Sequence, residues 1–436
     1  MNGIAIVFLL VNAAFMLALP RHLASIPLLF GTCYMTLGQE IEVGPFHLTI
    51  IRILIAAGLV RVIFRGERLK DRINTLDGLM FFWAGWALAS SLFHKDLSGA
   101  FINRLGVVYN ACGIYFLFRV FFQSIDDVKN ICRIMPILLI PVAVEMIYEL
   151  VAFKNLFSVF GDVPEMPLSR EGRIRAVGPF GHPILAGTVG AACLPLMIGI
   201  WQQHRKIAYS GIAACLIIVV ASASSGPIMS AMVAIAALFM WRYRQDMRII
   251  RWGAVFVFIS LEIVMNDPAY FVLARIDLVG GSTGWHRAEL IRSALHHIHE
   301  WWLGGTDYTR HWMPTGVSWS QDHTDITNEY LKMGVLGGLP LMFLFIAILA
   351  KGFSFVGRIL EQASNLPENS RFMIWAFGAA LFVHAVTFIS VSYFDQSILF
   401  IYLTLAAIGS TCSGVLSPRM PDETDPLGTY GTGDFT

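Results

Sequence analysis

Long unbroken apolar blocks separated by short polar stretches dominate the chain. A membrane helix needs roughly 20 mostly apolar residues. The blocks predict spans at about 2–19, 23–38, 46–64, 75–93, 103–122, 131–153, 182–201, 207–222, 226–241, 249–265, 330–350, 372–392 and 397–412. The total is 12 or 13, because only Pro20-Arg21-His22 separates the first two. A transmembrane barrel would alternate apolar and polar residues in short segments, and these blocks do not. The expected fold is all-α and polytopic, with a long outer loop carrying an amphipathic helix.

Composition narrows the class further. Of 436 residues, 56% are hydrophobic and 14% charged, against about 25% charged in a soluble domain. A soluble enzyme, a disordered scaffold and a nucleic-acid binder with a basic face are excluded. The six cysteines lie in or beside apolar blocks without a CxxC pair, so they read as small core residues. The opening MNGIAIVFLL has no basic region or small-residue cleavage motif and reads as a first span.

A net charge of +1 is uninformative; its distribution is not. Basic residues crowd 65–72 (Arg65, Arg68, Lys70, Arg72), 242–251 (Arg242, Arg244, Arg248, Arg251), Arg205-Lys206, Lys129 with Arg133, and 351–371 (Lys351, Arg358, Arg371). Counting spans puts all five on one side, which the positive-inside rule makes cytoplasmic. Segments 154–181, 222–225 and 266–329 then face outward. The chain divides into N-terminal spans 1–153, a central region 154–350, C-terminal spans 351–412 and a cytoplasmic tail 413–436, polar and expected to be disordered.

The outer segments hold the candidate chemistry. In 170–187, REGRIRAVGPFGHPILAG, Arg173 and Arg175 precede a Gly-Pro-Phe-Gly-His-Pro turn that opens a span. Pro183 suits a first helical turn, and a helix N-terminus beside arginines favours anions. The plainer reading is arginines touching lipid headgroups, with His182 as a cap. In 282–302, STGWHRAELIRSALHHIHEWW, a helical wheel gathers Leu290, Ala294, Ile298, Ile291, Trp302, Leu295 and Ala288 on one face. Arg287 falls inside that face and Arg292, His296, His299 and Glu300 opposite. A buried first-turn arginine is doubly unfavourable without an anionic partner; otherwise it must snorkel outward. Of His296, His297 and His299, only the first and last share a face, so no metal site is expected. Trp285, Trp301, Trp302, Trp312 and Trp319 read as boundary indoles or sugar-stacking platforms.

In 319–338, WSQDHTDITNEYLKMGVLGG, His323, Asp325, Asn328 and Glu329 precede a span. With a helix starting near Thr324, Asp325, Asn328 and Glu329 would share a face and form a general-base cluster beside the imidazole. The plainer reading makes Asp325 or Thr324 an N-cap. Glu145, Glu149 and Arg52, near outer span ends, would line a vestibule or pair with the arginines. His384 reads as a satisfied interior histidine.

These elements together resemble the O-antigen ligase and polysaccharide polymerase superfamily, membrane glycosyltransferases of the GT-C-like type. Arg175-Ala-Val-Gly178-Pro-Phe180-Gly-His182-Pro183 is similar to its Arg-x-x-Gly-x-Phe-x-x-Pro element. Arg287 with the amphipathic helix and Leu303-Gly304-Gly305 is similar to its Arg…Pro-Leu-x-Gly-x-Gly element. Thr327-Asn328-Glu329-Tyr330-Leu331 with Gly334 and Gly337-Gly338 resembles its His-Asn-x-Tyr-Leu…Gly-x-x-Gly element. Two positions depart: Thr327 stands at the family's histidine, and Ser224-Ser225 replaces its Ser-Arg pair. The resemblance implies polymerisation or ligation of a glycan carried on undecaprenyl diphosphate, at the periplasmic face of the bacterial inner membrane, with polymerase favoured over ligase. Arg173, Arg175 and Arg287, with His182 and Asn328, would bind the donor, and His323, Asp325 or Glu329 would take the acceptor proton, with no metal or other cofactor. The acceptor would be a second glycan or lipid A–core; membrane lipids and other polysaccharide export proteins would be the further partners. A transporter of lipid-linked glycan, without chemistry, is the competing class.

Overall fold

The computed structural model describes residues 1–69, 73–272, 284–362 and 365–416. Lys70, Arg72, Arg275 and the 417–436 tail lie outside them. Among the described residues, helices answer every predicted span: α1 (Gly3–Ala18), α2 (Ile26–Tyr34), α3 (Ile50–Arg65), α4 (Thr75–Ala89), α5 (Leu97–Phe121), α6 (Ile125–Ala152), α7 (Pro183–Gly199), α8 (Arg205–Ala221), α9 (Ser225–Phe239), α10 (Met247–Val264), α13 (Glu329–Gln362), α14 (Glu368–Thr387) and α15 (Leu399–Leu416). Between α10 and α13 lie α11 (Gly284–His296) and the short α12 (Ile298–Trp301). Among the described residues seven helices, counting short flanking turns, are long and apolar enough to cross a membrane, and α1 and α7 are shorter apolar helices. The chain is an all-α multi-pass membrane protein. Two small antiparallel hairpins accompany the helices: β1 (Glu40–Val43) with β2 (Phe46–Thr49), and β3 (Leu168–Arg170) with β4 (Arg173–Arg175).

Local sequence sets the helix ends. Asn74 and Asp77 form a capping box on α4, satisfying two orphan N–H groups reciprocally. His182 caps α7 through Nδ1, which accepts from the Ile184 N–H at 3.2 Å, with Pro183 at the first turn. Two expectations need correction. The 23–38 block holds only nine helical residues, because the chain turns extended at Met35. The last helix of the central region begins at Glu329 rather than Thr324, because Asn328, with its Oδ1 accepting from the Leu331 N–H at 3.0 Å, is the cap.

The five basic loops gather at one end. Gln123 donates to the Arg68 carbonyl, Lys129 to Ser370, and Arg21 pairs with Asp127. Trp241 packs against Phe372 and Trp375. The opposite end collects 154–181, the α8–α9 turn, α11 and 303–328. There α13 breaks at Gly337 and Gly338. A broken helix frees carbonyls that need new partners away from water. Trp86 Nε1 donates to the Gly337 carbonyl at 2.7 Å, and Arg104 and Ser90 reach that of Leu336. The Gly338 backbone has φ +74°, and a Cβ there would sit 2.1 Å from the Leu303 carbonyl oxygen. Leu339 donates to the Trp302 carbonyl and Thr306 to that of Val335. The segment after α12 is thereby seated in the kink, and this seat places 306–326 over the helix ends.

Candidate functional site

The β3–β4 hairpin, α7, α11 and the 317–325 turn, closed by a bridge between Ser318 and Thr324, converge at the end opposite the basic loops. Arg175, 6% exposed, lies against the α8–α9 turn. Its Nη2 donates to Ser224 Oγ at 2.7 Å and its Nε to the Ser222 carbonyl at 3.4 Å. Burial, then the neighbouring charge of Arg170, lowers its pKa to about 10, so it stays cationic near neutrality. His182 is pushed down to about 4 by burial and by Arg175 and Arg170, so its ring is neutral. Arg287 is lowered by burial and by Arg170, against the pull of Asp325. Its Nε is buried without a hydrogen-bond partner. Arg170 and Arg175 of the hairpin and Arg287 of α11 therefore share one electrostatic neighbourhood; among the described residues Arg175 is held by a hydroxyl and a carbonyl, and the carboxylate that acts on Arg287 is that of Asp325.

The wheel placement holds where it matters. Ala288, Leu290 and Ala294 are buried, while Arg292 faces out, 3.4 Å from Asp267 and stacked over Phe271 at 4.1 Å. Leu295, Ile298 and Trp302 do not join the buried face: all three are exposed, the last two because the helix is interrupted at His297. His286 is buried instead, with Nε2 3.2 Å from the Asp325 carbonyl.

A cavity of about 410 Å³ opens on the other side of Asp325. Its walls include His323, Asp325, Trp319, Phe394, Lys332 and Arg104. Asp325 precedes α13, and its N–H donates to the Val317 carbonyl at 2.9 Å. Burial raises its carboxyl pKa, with His286 and Arg287 drawing it back. His323 Nδ1 lies 3.3 Å from Thr309 Oγ1. Burial lowers its pKa while Asp322 and Asp307 oppose. Both groups can accept a proton inside the cavity. Trp319, 5.1 Å from Phe394 and exposed, offers an aromatic wall at the mouth.

The structure does not bring the other sequence candidates to this seam. Arg173 is exposed at the hairpin turn. Glu329 is buried, and its Oε2 accepts from the Tyr393 N–H at 2.7 Å and lies 3.3 Å from Lys332. Asn328 donates to the Ile389 carbonyl. These two fasten α13 to the 388–393 loop. Glu149 accepts from the Val177 and Gly178 N–H groups at 2.9 Å, and Glu145 from that of Leu156. Glu149 braces the turn after Arg175 and Glu145 the segment after α6, and neither is seen to pair with an arginine among the described residues. Arg52 bonds Asn110 and His47. His384 is an interior residue as expected but only half satisfied: Nδ1 lies 2.9 Å from the Tyr393 hydroxyl, while Nε2 is buried without a partner.

The sequence alone does not single out Arg170, Arg104, or the contact between His94 and Asp307 at the cavity wall. The signal for Arg170 was available: it pairs with Arg173 across the hairpin, a register that Glu171-Gly172 dictates. Nothing along the chain links Arg104 to a cavity 200 residues later. Asp395, likewise not singled out, accepts from the Gly181 N–H at 2.8 Å and fixes the turn before α7.

Residues 188–346 match the family model described as O-antigen ligase. No curated protein and no solved structure matches the chain. The matched stretch runs from the second turn of α7 to the middle of α13, and so takes in the α8–α9 turn, Arg287, Asp325 and the glycine kink. It supports the resemblance carried by the motifs: over this stretch the multi-pass membrane protein is similar to the O-antigen ligase family.

Proposed function

We propose that the protein polymerises or ligates a glycan carried on undecaprenyl diphosphate, by inverting transfer to an acceptor sugar hydroxyl. The supporting observation is the position of Asp325, between the arginine group, on whose Arg287 it acts, and a cavity with an aromatic wall. Arg175, Arg287 and Arg170 hold the diphosphate. Their planar forks suit paired phosphate oxygens, and their charge offsets the negative charge that develops on the leaving group. The acceptor sugar enters the cavity against Trp319. Asp325, with His323 as the second candidate, takes its hydroxyl proton. The hydroxyl oxygen bonds to the anomeric carbon as the bond from that carbon to the phosphate oxygen breaks, and the lipid diphosphate leaves with the electron pair. No metal is required, because the arginines supply the charge. Polymerisation is favoured, with a second lipid-linked glycan as acceptor and lipid A–core as the ligase alternative.

The chain would lie in a bacterial inner membrane with this site facing the periplasm, since the basic loops share the opposite end. Cysteines at Ser169 and Ser318, both exposed, should then react with an impermeant thiol reagent once only the outer membrane is opened. Labelling that needs inner-membrane lysis overturns the orientation. Purified protein given lipid-linked glycan should release lipid diphosphate and lengthen or transfer the glycan, also in excess chelator. Translocation without release would make it a transporter.

A further inference from the structure

His297, Glu300 and His311 form a group that glycosyl transfer does not use. One nitrogen or carboxylate oxygen from each lies within 4.8 Å of the others. His297 sits at the α11–α12 junction, Glu300 in α12, and His311 in the turn Arg310–Trp312. His311 Nε2 is 2.9 and 3.0 Å from the two Glu300 oxygens.

Neighbouring groups hold His297 and Glu300 in ligand-like poses. His297 Nδ1 lies 2.8 Å from the Ser293 carbonyl. Donating there fixes the neutral tautomer and turns the Nε2 lone pair outward. Trp312 Nε1 donates to Glu300 Oε2 at 3.1 Å, orienting the carboxylate. His311 Nδ1 is buried with no hydrogen-bond partner, so that ring is only half satisfied.

We propose that His297, Glu300 and His311 bind a zinc ion that staples the α11–α12 corner to the 310–312 turn. Two imidazoles and one carboxylate are a zinc donor set, and bonds of about 2.0–2.2 Å place tetrahedral ligands roughly 3.3–3.5 Å apart. Side-chain rotations closing at most about 1.5 Å complete the shell, with water or a fourth group outside it. Beneath the corner lies a small separate core containing Leu290, Ala294, Trp301, Trp312 and Leu331. A core this small gains from a cross-link. The ion is structural: His297 lies ten residues beyond Arg287, about 15 Å along a helix. The proposal goes beyond glycosyl transfer and does not rest on it.

The test uses full-length protein in detergent, purified without a histidine tag, stripped with chelator and given zinc. Elemental analysis should find about one zinc per chain, and the unfolding temperature should rise with zinc. The double variant His297→Ala/His311→Ala should bind zinc at least tenfold more weakly and lose the thermal shift, while His296→Ala and Arg287→Ala keep both. Cobalt(II) added to stripped wild type should give visible bands of a four-coordinate site, a readout that needs no variant to fold. Wild type that holds no more zinc than the double variant, a His296→Ala loss as large as the double, or cobalt bands of a six-coordinate aquo ion would overturn the site.

Discussion

Buried arginines occur at both ends of the bundle and are treated in opposite ways. At the end of the basic loops, Arg119 forks onto Asp77, with both bonds 3.0 Å, and Ser410 and Tyr115 complete the group. Arg61 forks likewise onto Glu67 and donates to the Met16 and Leu19 carbonyls. At the other end Arg175 has a hydroxyl and a carbonyl, and Arg287 keeps a buried Nε without a partner. A buried cation is costly unless an anion and hydrogen bonds offset it. The first pair is therefore complete and structural. The second group carries a cost that a bound diphosphate would offset. Burial alone does not separate a functional arginine from a structural one; the identity of its acceptors does.

The largest expected effect tests the complete pair. Asp77→Ala strands Arg119 in the interior and should cost about 3–5 kcal/mol, read as loss of folded protein on size exclusion. Arg287→Ala should do the reverse: unfolding temperature no lower than wild type, transfer down on the order of a hundredfold or more at equal protein. Arg287→Lys should recover little, having lost the fork. If Arg287→Ala unfolds as Asp77→Ala does, the two ends are not different in kind.

Smaller effects sharpen the contrast within the site. Arg170→Ala should cost about tenfold in rate, one outer charge among three, whereas Arg173→Ala and Arg292→Ala should change it by no more than about twofold, as exposed charges do. Equal losses at Arg170 and Arg173 would return the arginine set to the sequence-based choice.

The smallest effect is a shift in pH dependence. Burial raises the Asp325 carboxyl above the ordinary aspartate range, and Arg287 draws it partly back. A base works deprotonated, so the rate should fall as pH drops through that raised pKa. Arg287→Gln should move this acid limb to higher pH in the residual activity, and Asp325→Asn should remove it. A limb that survives Asp325→Asn and vanishes in His323→Gln would transfer the base role to His323.

The sequence by itself determined the helix inventory, the shared end of the basic loops, the inward pose of Arg287 and the cap at His182. Each follows from a short-range rule: block length against bilayer thickness, a period of 3.6, or a cap beside a proline. Asn328 and Glu329 looked catalytic for the same local reason, a cluster of polar residues before a span. Only the tertiary structure showed that their hydrogen bonds are taken by the 388–393 loop. It alone brought Arg170 and Arg175 to Arg287, more than 110 residues away along the chain, and closed Asp325 between them and the cavity. It also showed that the glycines at 305 and 338 admit a backbone contact that any side chain would block. Those facts depend on which distant groups consume each donor and acceptor, and no period along the chain records that.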